Sequence, residues 1–196
     1  PHRGFETVTI ARTGFIDHAD SLGAQARFGE GDVQWMTAGR GVVHSEMFPL
    51  VRTQQANPTE LFQVWLNLPA KSKLVDPYFT MIWSHDIKTE LHADAAGIQT
   101  LISVVAGRLG NAHGATTPPD SWAADPSHGV NIWTIVMQPG ATWTLPATQA
   151  NRNRVLYAYD TSGVSVADEH AVSPVGFQLD PTAAVTVINE DRPTEL

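Results

Sequence analysis

Short alternating or β-branched runs, separated by turn signals about every 8–12 residues, extend along this whole sequence. Residues 1–10, PHRGFETVTI, run into a β-branched strand, and Arg12-Thr13-Gly14 closes it. Residues 15–18 form a further short strand, and Asp20-Ser21-Leu22-Gly23 is the next turn. Residues 61–68, LFQVWLNL, carry apolar side chains at the alternating positions 62, 64, 66 and 68 and read as a strand. No segment makes a convincing amphipathic helix. The chain is therefore expected to be all-β with little helix, built as a sandwich or barrel.

The alternation pauses once. Residues 78–96 contain two polar-rich stretches, HDIK (85–88) and LHAD (91–94), and read as an interdomain stretch with a boundary near Ala96-Gly97. This gives domains 1–96 and 97–196. The second half returns to strands at 98–106, 130–137, 143–145, 154–160, 163–166, 176–179 and 183–189, with a long loop at 111–129. The two halves share an idiom but no visible repeat.

Composition removes several chemistries. The chain has 196 residues and no cysteine, so disulfides, thiol catalysis and cysteine-ligated zinc are excluded. Twelve basic against 20 acidic residues give a net charge of −8, the wrong balance for a nucleic-acid surface. No apolar stretch approaches the ~20 residues of a membrane-spanning helix, so no membrane partner is expected, and a cytoplasmic location is the default. No phosphate loop, nucleophile elbow or dinucleotide fingerprint occurs.

The chemistry concentrates in residues 31–47, GDVQWMTAGRGVVHSEM. His44 and Glu46 stand two residues apart, so on a strand an imidazole and a carboxylate aim the same way. This stretch resembles the second cupin motif in the form found in pirins, and PHRGFETVTI resembles the first motif of the same family. Residues 61–79, LFQVWLNLPAKSKLVDPYF, continue the likeness, which becomes diffuse after about Asp94. The resemblance implies two cupin-type β-barrels, a bicupin, with a metal site in the N-terminal domain and none in the C-terminal one.

Pirins carry a further His before the Pro at position 1 and continue beyond the last residues here. The chain accordingly reads as the middle of a pirin-like chain trimmed at both ends, a naturally short relative being the alternative. Carried over position by position, the resemblance makes His2, His44 and Glu46 metal ligands, three of the family's four. Two imidazoles and one carboxylate form the facial arrangement suited to non-haem iron, Fe(II)/Fe(III), or another divalent transition metal. The alternative for all three is a set of hydrogen-bonded core polar groups. Glu6 is expected to hydrogen-bond a ligand imidazole and fix its tautomer; direct ligation and a structural hydrogen bond are the other readings.

Arg3 and Arg40 are candidate anion-binding groups, although Arg40, flanked by glycines, suits backbone bracing equally. Trp35, Met36, Phe5 and Met47 are candidate pocket residues, with core packing the simpler reading. His18 is expected to be a solvent-exposed turn residue. His85, His92, His113, His128 and His170 lack a partner at ligand spacing and are read as surface histidines.

Functionally, the resemblance implies a metal-binding bicupin with quercetin 2,3-dioxygenase-type activity. It would take a small aromatic, flavonol-like substrate through its oxygens, with Glu46 as the base for the hydroxyl proton. The alternative is a metal-dependent regulatory module that binds a protein partner without turnover. A third reading is an inactive scaffold.

Overall fold

The computed structural model describes residues 1–159, 163–172, 174–190 and 194–196. They form two compact units. The first holds Pro1–Ile87, Val105–Gly107 and Gly114–Asn131; the second holds Lys88–Val104, Arg108–His113 and Ile132–Leu196. Both are β-structured, and the only helical pieces among the described residues are single 3₁₀ turns such as Trp122–Ala124 and Pro126–His128.

The first unit contains Phe5–Thr13 (β1), Phe15–Asp20 (β2), Gln25–Gly29 (β3), Val33–Thr37 (β4), His44–Met47 (β5), Glu60–Asn67 (β6) and Tyr78–Ile82 (β7). They make two antiparallel sheets, ordered β6-β1-β4-β7 and β3-β2-β5. Ala11, Ile16 and Phe28 bury themselves between the sheets, with Leu61 and Met81 packed against them. The register divides the larger sheet's side chains. Thr7 is opposite Met36 and Trp65, and Met36 is opposite Phe79; Thr9 is opposite Gln34 and Gln63. These residues share the face turned toward the smaller sheet. Glu6, Val8, Trp35 and Thr37 lie on the other face.

That alternation corrects the expected role of Glu6. Its carboxylate, wholly buried, accepts from Trp35 Nε1 (3.2 Å), Thr37 Oγ1 (2.7 Å), Ser121 Oγ (3.0 Å) and the Trp122 amide (3.0 Å). No imidazole is among these partners. Glu6 clamps the 114–131 segment to the back of the sheet, because an even-numbered residue of β1 faces away from the side that Thr7 and Thr9 occupy.

The N-terminal arm is zipped along the turn that precedes β5. His2 N and Val42 O are 2.9 Å apart, Val42 N and His2 O 3.0 Å, and Gly4 N donates to Gly39 O at 2.8 Å. The turn needs its glycine: Gly39 has φ +49°, and a Cβ there would run into the Val75 carbonyl oxygen. Gly39→Ala should therefore cost about 2 kcal/mol or more, from left-handed strain and displaced backbone. The check is the chemical-denaturation midpoint, and an unchanged midpoint would count against this account of the turn. Arg40, next in the turn, pairs with Asp76 at the surface, which supports the bracing reading.

The second unit contains Lys88–Ala93 (β8), Gln99–Ala106 (β9, apart from its last two residues), Arg108–Leu109 (β10), Ala112–His113 (β11), Ile132–Met137 (β12), Thr142–Leu145 (β13), Val155–Ala158 (β14), Val164–Val166 (β15), Glu169–His170 (β16), Val175–Gln178 (β17), Val185–Asn189 (β18) and Thr194–Glu195 (β19). Its larger sheets run β19-β12-β9-β8 and β13-β18-β15-β16. Ile102, Met137, Trp143, Leu156, Val166 and Val187 are central to its core. The end of the expected 154–160 strand, Asp160, lies outside the described residues.

The 78–96 stretch is largely strand. Its first part is β7, at the end of the first unit's larger sheet, and 88–93 is β8, at the end of a sheet in the second. The polar character of β8 reflects that edge position: edge strands carry charge and face water, and five of its six residues are exposed.

Candidate metal centre

β5 is four residues long, and its burial alternates, with His44 and Glu46 inward and Ser45 and Met47 exposed. Antiparallel pairing sets it against β2, so that His44 is opposite Asp20 and Glu46 is opposite His18. Strand alternation then aims all four side chains to one side, as a two-by-two array of His18, Asp20, His44 and Glu46.

His18 is thus not a turn residue. Its side chain and that of Asp20 are fully shielded from solvent. The turn of residues 20–23 exists, but Asp20 ends β2 and starts the turn at once. Its Oδ1 accepts from the Leu22 and Ala24 amides at 2.8 and 3.1 Å, while Oδ2 lies 3.0 Å from His18 Nε2. Burial pushes the Asp20 carboxyl up. The hydrogen bonds from His18 and the two amides outweigh it and hold the group below its ordinary value. The His18 ring stacks on Phe79, with centroids 4.9 Å apart, and Gln34 Nε2 lies 3.3 Å from its Nδ1.

Three side-chain atoms converge. Glu46 Oε1 is 3.8 Å from His44 Nδ1 and 4.0 Å from His18 Nδ1, too far for hydrogen bonds. His44 Nδ1 and Glu46 Oε1 are buried with no hydrogen-bond partner, as is Gln34 Oε1. Buried polar atoms are seldom left so. The donor atoms of His18, His44 and Glu46 all lie within 4.8 Å of one another. Ligands sharing one transition-metal ion at ~2.1 Å lie within about 4.2 Å of each other. A side-chain shift of under roughly 1 Å would close the trio on a cation, so the residues present fit one.

His2 stands beside this trio. Its ring centroid is 4.7 Å from that of His44 and 5.0 Å from that of Phe5. Trp65, exposed at the surface and held by its Nε1–H to Gln63 Oε1 (2.8 Å), packs on Phe5 at 5.0 Å. Of the candidate pocket residues, Phe5 is brought to the site. Trp35 and Met36 are core, Trp35 on the Glu6 side, and Met47 is exposed.

Burial lowers the pKa of both His2 and His44. A neighbouring imidazole lowers each further: His44 for His2, and His18 for His44. Near pH 7 both are neutral, the form that ligates metal. In the unfolded chain they return to about 6.5. Below that value the unfolded chain binds more protons than the folded one. The stability of the metal-free protein is therefore full above about pH 6.5 and is lost as pH falls through it toward the lowered folded values. The denaturation midpoint should be lower at pH 5.5 than at pH 7.5; a midpoint that stays level or rises would contradict the assignment.

Among the described residues the second unit holds no comparable group. His92, His113 and His170 are exposed there, as is His85 in the first unit, in keeping with surface roles. His128 differs: it is half-buried, stacks on Trp122 and takes the Trp122 carbonyl at Nδ1 (2.7 Å). No described helix is long and apolar enough to cross a membrane.

The family model for pirin matches residues 1–66. A tomato (Solanum lycopersicum) pirin-like protein is 46% identical over 87 residues, 44% of this chain and 28% of the relative. A Pseudomonas aeruginosa protein provisionally named a quercetin 2,3-dioxygenase is 34% identical over 169 residues, 86% of this chain and 54% of that one. The chain thus spans about half or less of the length of these relatives. The crystal structure of a quercetin 2,3-dioxygenase from Acinetobacter baumannii is similar over 99% of this chain and 63% of its own, with a TM-score of 0.76 and 30% identity. A bacterial pirin from Escherichia coli, crystallised with nickel(II), is similar in fold at a TM-score of 0.59 and 15% identity.

Proposed function

Because this chain belongs to the pirin family, we infer that its first unit binds one divalent transition metal, iron in the first instance, and supports quercetin 2,3-dioxygenase-type chemistry on a flavonol-like substrate. The observation that carries this reading is the pair of buried, unpartnered ligand atoms, His44 Nδ1 and Glu46 Oε1, aimed at one point. His44 and Glu46 hold the ion, with His2 as the third ligand that the resemblance implies. A metal held there would supply Lewis-acid chemistry toward the substrate's oxygens.

The chain's own residues do the rest. Phe5 and Trp65, their rings tilted by 44°, offer an aromatic wall next to His2 against which an aromatic substrate can pack. The Glu46 carboxylate is the candidate base for the substrate hydroxyl proton when the ion does not hold it. Named relatives support this substrate class.

The test is oxygen uptake by the iron-loaded protein with quercetin, followed with an oxygen electrode. Uptake that depends on both iron and flavonol is expected, and its absence from fully loaded protein would end the enzyme reading. One observation favours the alternative, a metal-dependent binding module. Directly after Glu46, residues Met47, Phe48, Leu50 and Val51 are all exposed, an apolar run that suits a protein partner. Metal-dependent partner binding without oxygen uptake is the result that would select it.

A further inference from the structure

We propose that His18 is itself a donor to the metal ion, through Nδ1, with Asp20 as the carboxylate that orients it. This rests on the metal-binding reading above and adds a residue that the pirin-like motifs do not contain.

Four observations carry it. First, His18 is directly across from Glu46 in the β2–β5 pairing, and its Nδ1 lies 4.0 Å from the unpartnered Glu46 Oε1. Second, the tight donor trio is His18, His44 and Glu46. Third, the chemistry of the ring is settled by its neighbour. Asp20 Oδ1 is occupied by two amides, and Oδ2 can only accept, so the proton sits on His18 Nε2 and the lone pair on Nδ1. A ligating imidazole whose other nitrogen donates to a carboxylate is the usual support for a protein-bound metal. Fourth, the Nδ1 lone pair has only a weak competitor, the Gln34 amide at 3.3 Å, whose own Oε1 is buried without a partner. A wholly buried Asp–His pair inside a small sheet needs a reason, and a cation at Nδ1 provides one.

Asp20 itself is outside the donor trio, and three of its acceptor positions are taken by His18 and the two amides. It is a positioning residue, acting on the ion only through His18.

Cobalt(II) is the probe, since it reports ligand number in its visible spectrum and shifts the resonances of protons on ligating rings. In the cobalt-loaded wild type, the His18 Nε2 proton should appear at a hyperfine-shifted position and exchange slowly with water. Finding it at its diamagnetic position would overturn the assignment without any substitution. In variants that retain the wild-type circular dichroism, His18→Asn should weaken cobalt binding by about a hundredfold, and Asp20→Asn by roughly tenfold to a hundredfold. The visible band should also change in His18→Asn. Wild-type affinity and spectrum in His18→Asn would overturn the role of His18 alone and leave the metal reading intact. A wild-type chain that takes up no cobalt would overturn both.

Discussion

His44→Ala should all but abolish metal uptake while leaving the metal-free fold in place. The affinity for cobalt or iron is expected to fall by more than about a hundredfold, beyond the roughly 10–100-fold that loss of a supporting hydrogen-bond partner costs. The reason for so selective an effect lies in the bonding of the ring. His44 Nδ1 is buried without a hydrogen-bond partner. Removing such a group gives up little, because an unsatisfied polar atom is itself unfavourable. Metal-free stability should change by about 1 kcal/mol or less. The two measurements together separate a ligand from a core polar residue. Elemental analysis gives the metal content, and denaturant titration of stripped protein gives the stability. A variant that keeps its metal, or one that loses several kcal/mol when metal-free, would contradict the ligand role.

Glu6→Ala should do the reverse, with a large loss of stability that does not require metal. Glu6 sits on the opposite face of the larger sheet, and its carboxylate satisfies four donors. Truncation leaves those donors without their acceptor and opens a cavity where a wholly buried side chain was. Loss of a buried, multiply bonded carboxylate costs about 3–5 kcal/mol. For a chain of this size that is on the order of 10 °C in the melting temperature of the first unit. Because two of the donors are Ser121 and Trp122, the 114–131 segment should also become sensitive to limited proteolysis ahead of the rest. A shift of only a degree or two, with the segment still protected, would show that the clamp contributes little.

The contrast between these two residues shows what could be read from the sequence and where reading stopped. The pairing of His44 with Glu46 follows from strand alternation alone and needs no partner strand. The same rule applies to His18 and Asp20, which have the same spacing. Asp20 also opens the turn of residues 20–23, which conceals that the strand continues past His18 to Asp20. The structure shows that Asp20 serves both: Oδ2 belongs to the site and Oδ1 to the turn. For Glu6 the cupin resemblance suggests a place beside a ligating imidazole, whereas the structure puts it on the opposite face of the sheet. Four residues along an extended chain span about 13 Å, and the direction in which a side chain points depends on which face of the sheet the core claims.

The charged strand at 88–93 failed for a related reason. An edge strand is polar because water covers it, so no hydrophobic alternation announces it. The all-β class, the turns and the shared face of His44 and Glu46 were determined by the sequence itself, since local alternation and turn chemistry act between neighbours. The pairing of β2 with β5, the two-by-two array it creates and the face assigned to Glu6 were decided only by tertiary structure. Backbone hydrogen bonds between strands are chemically the same whichever strands they join, and register is chosen by how much apolar surface the whole fold can bury.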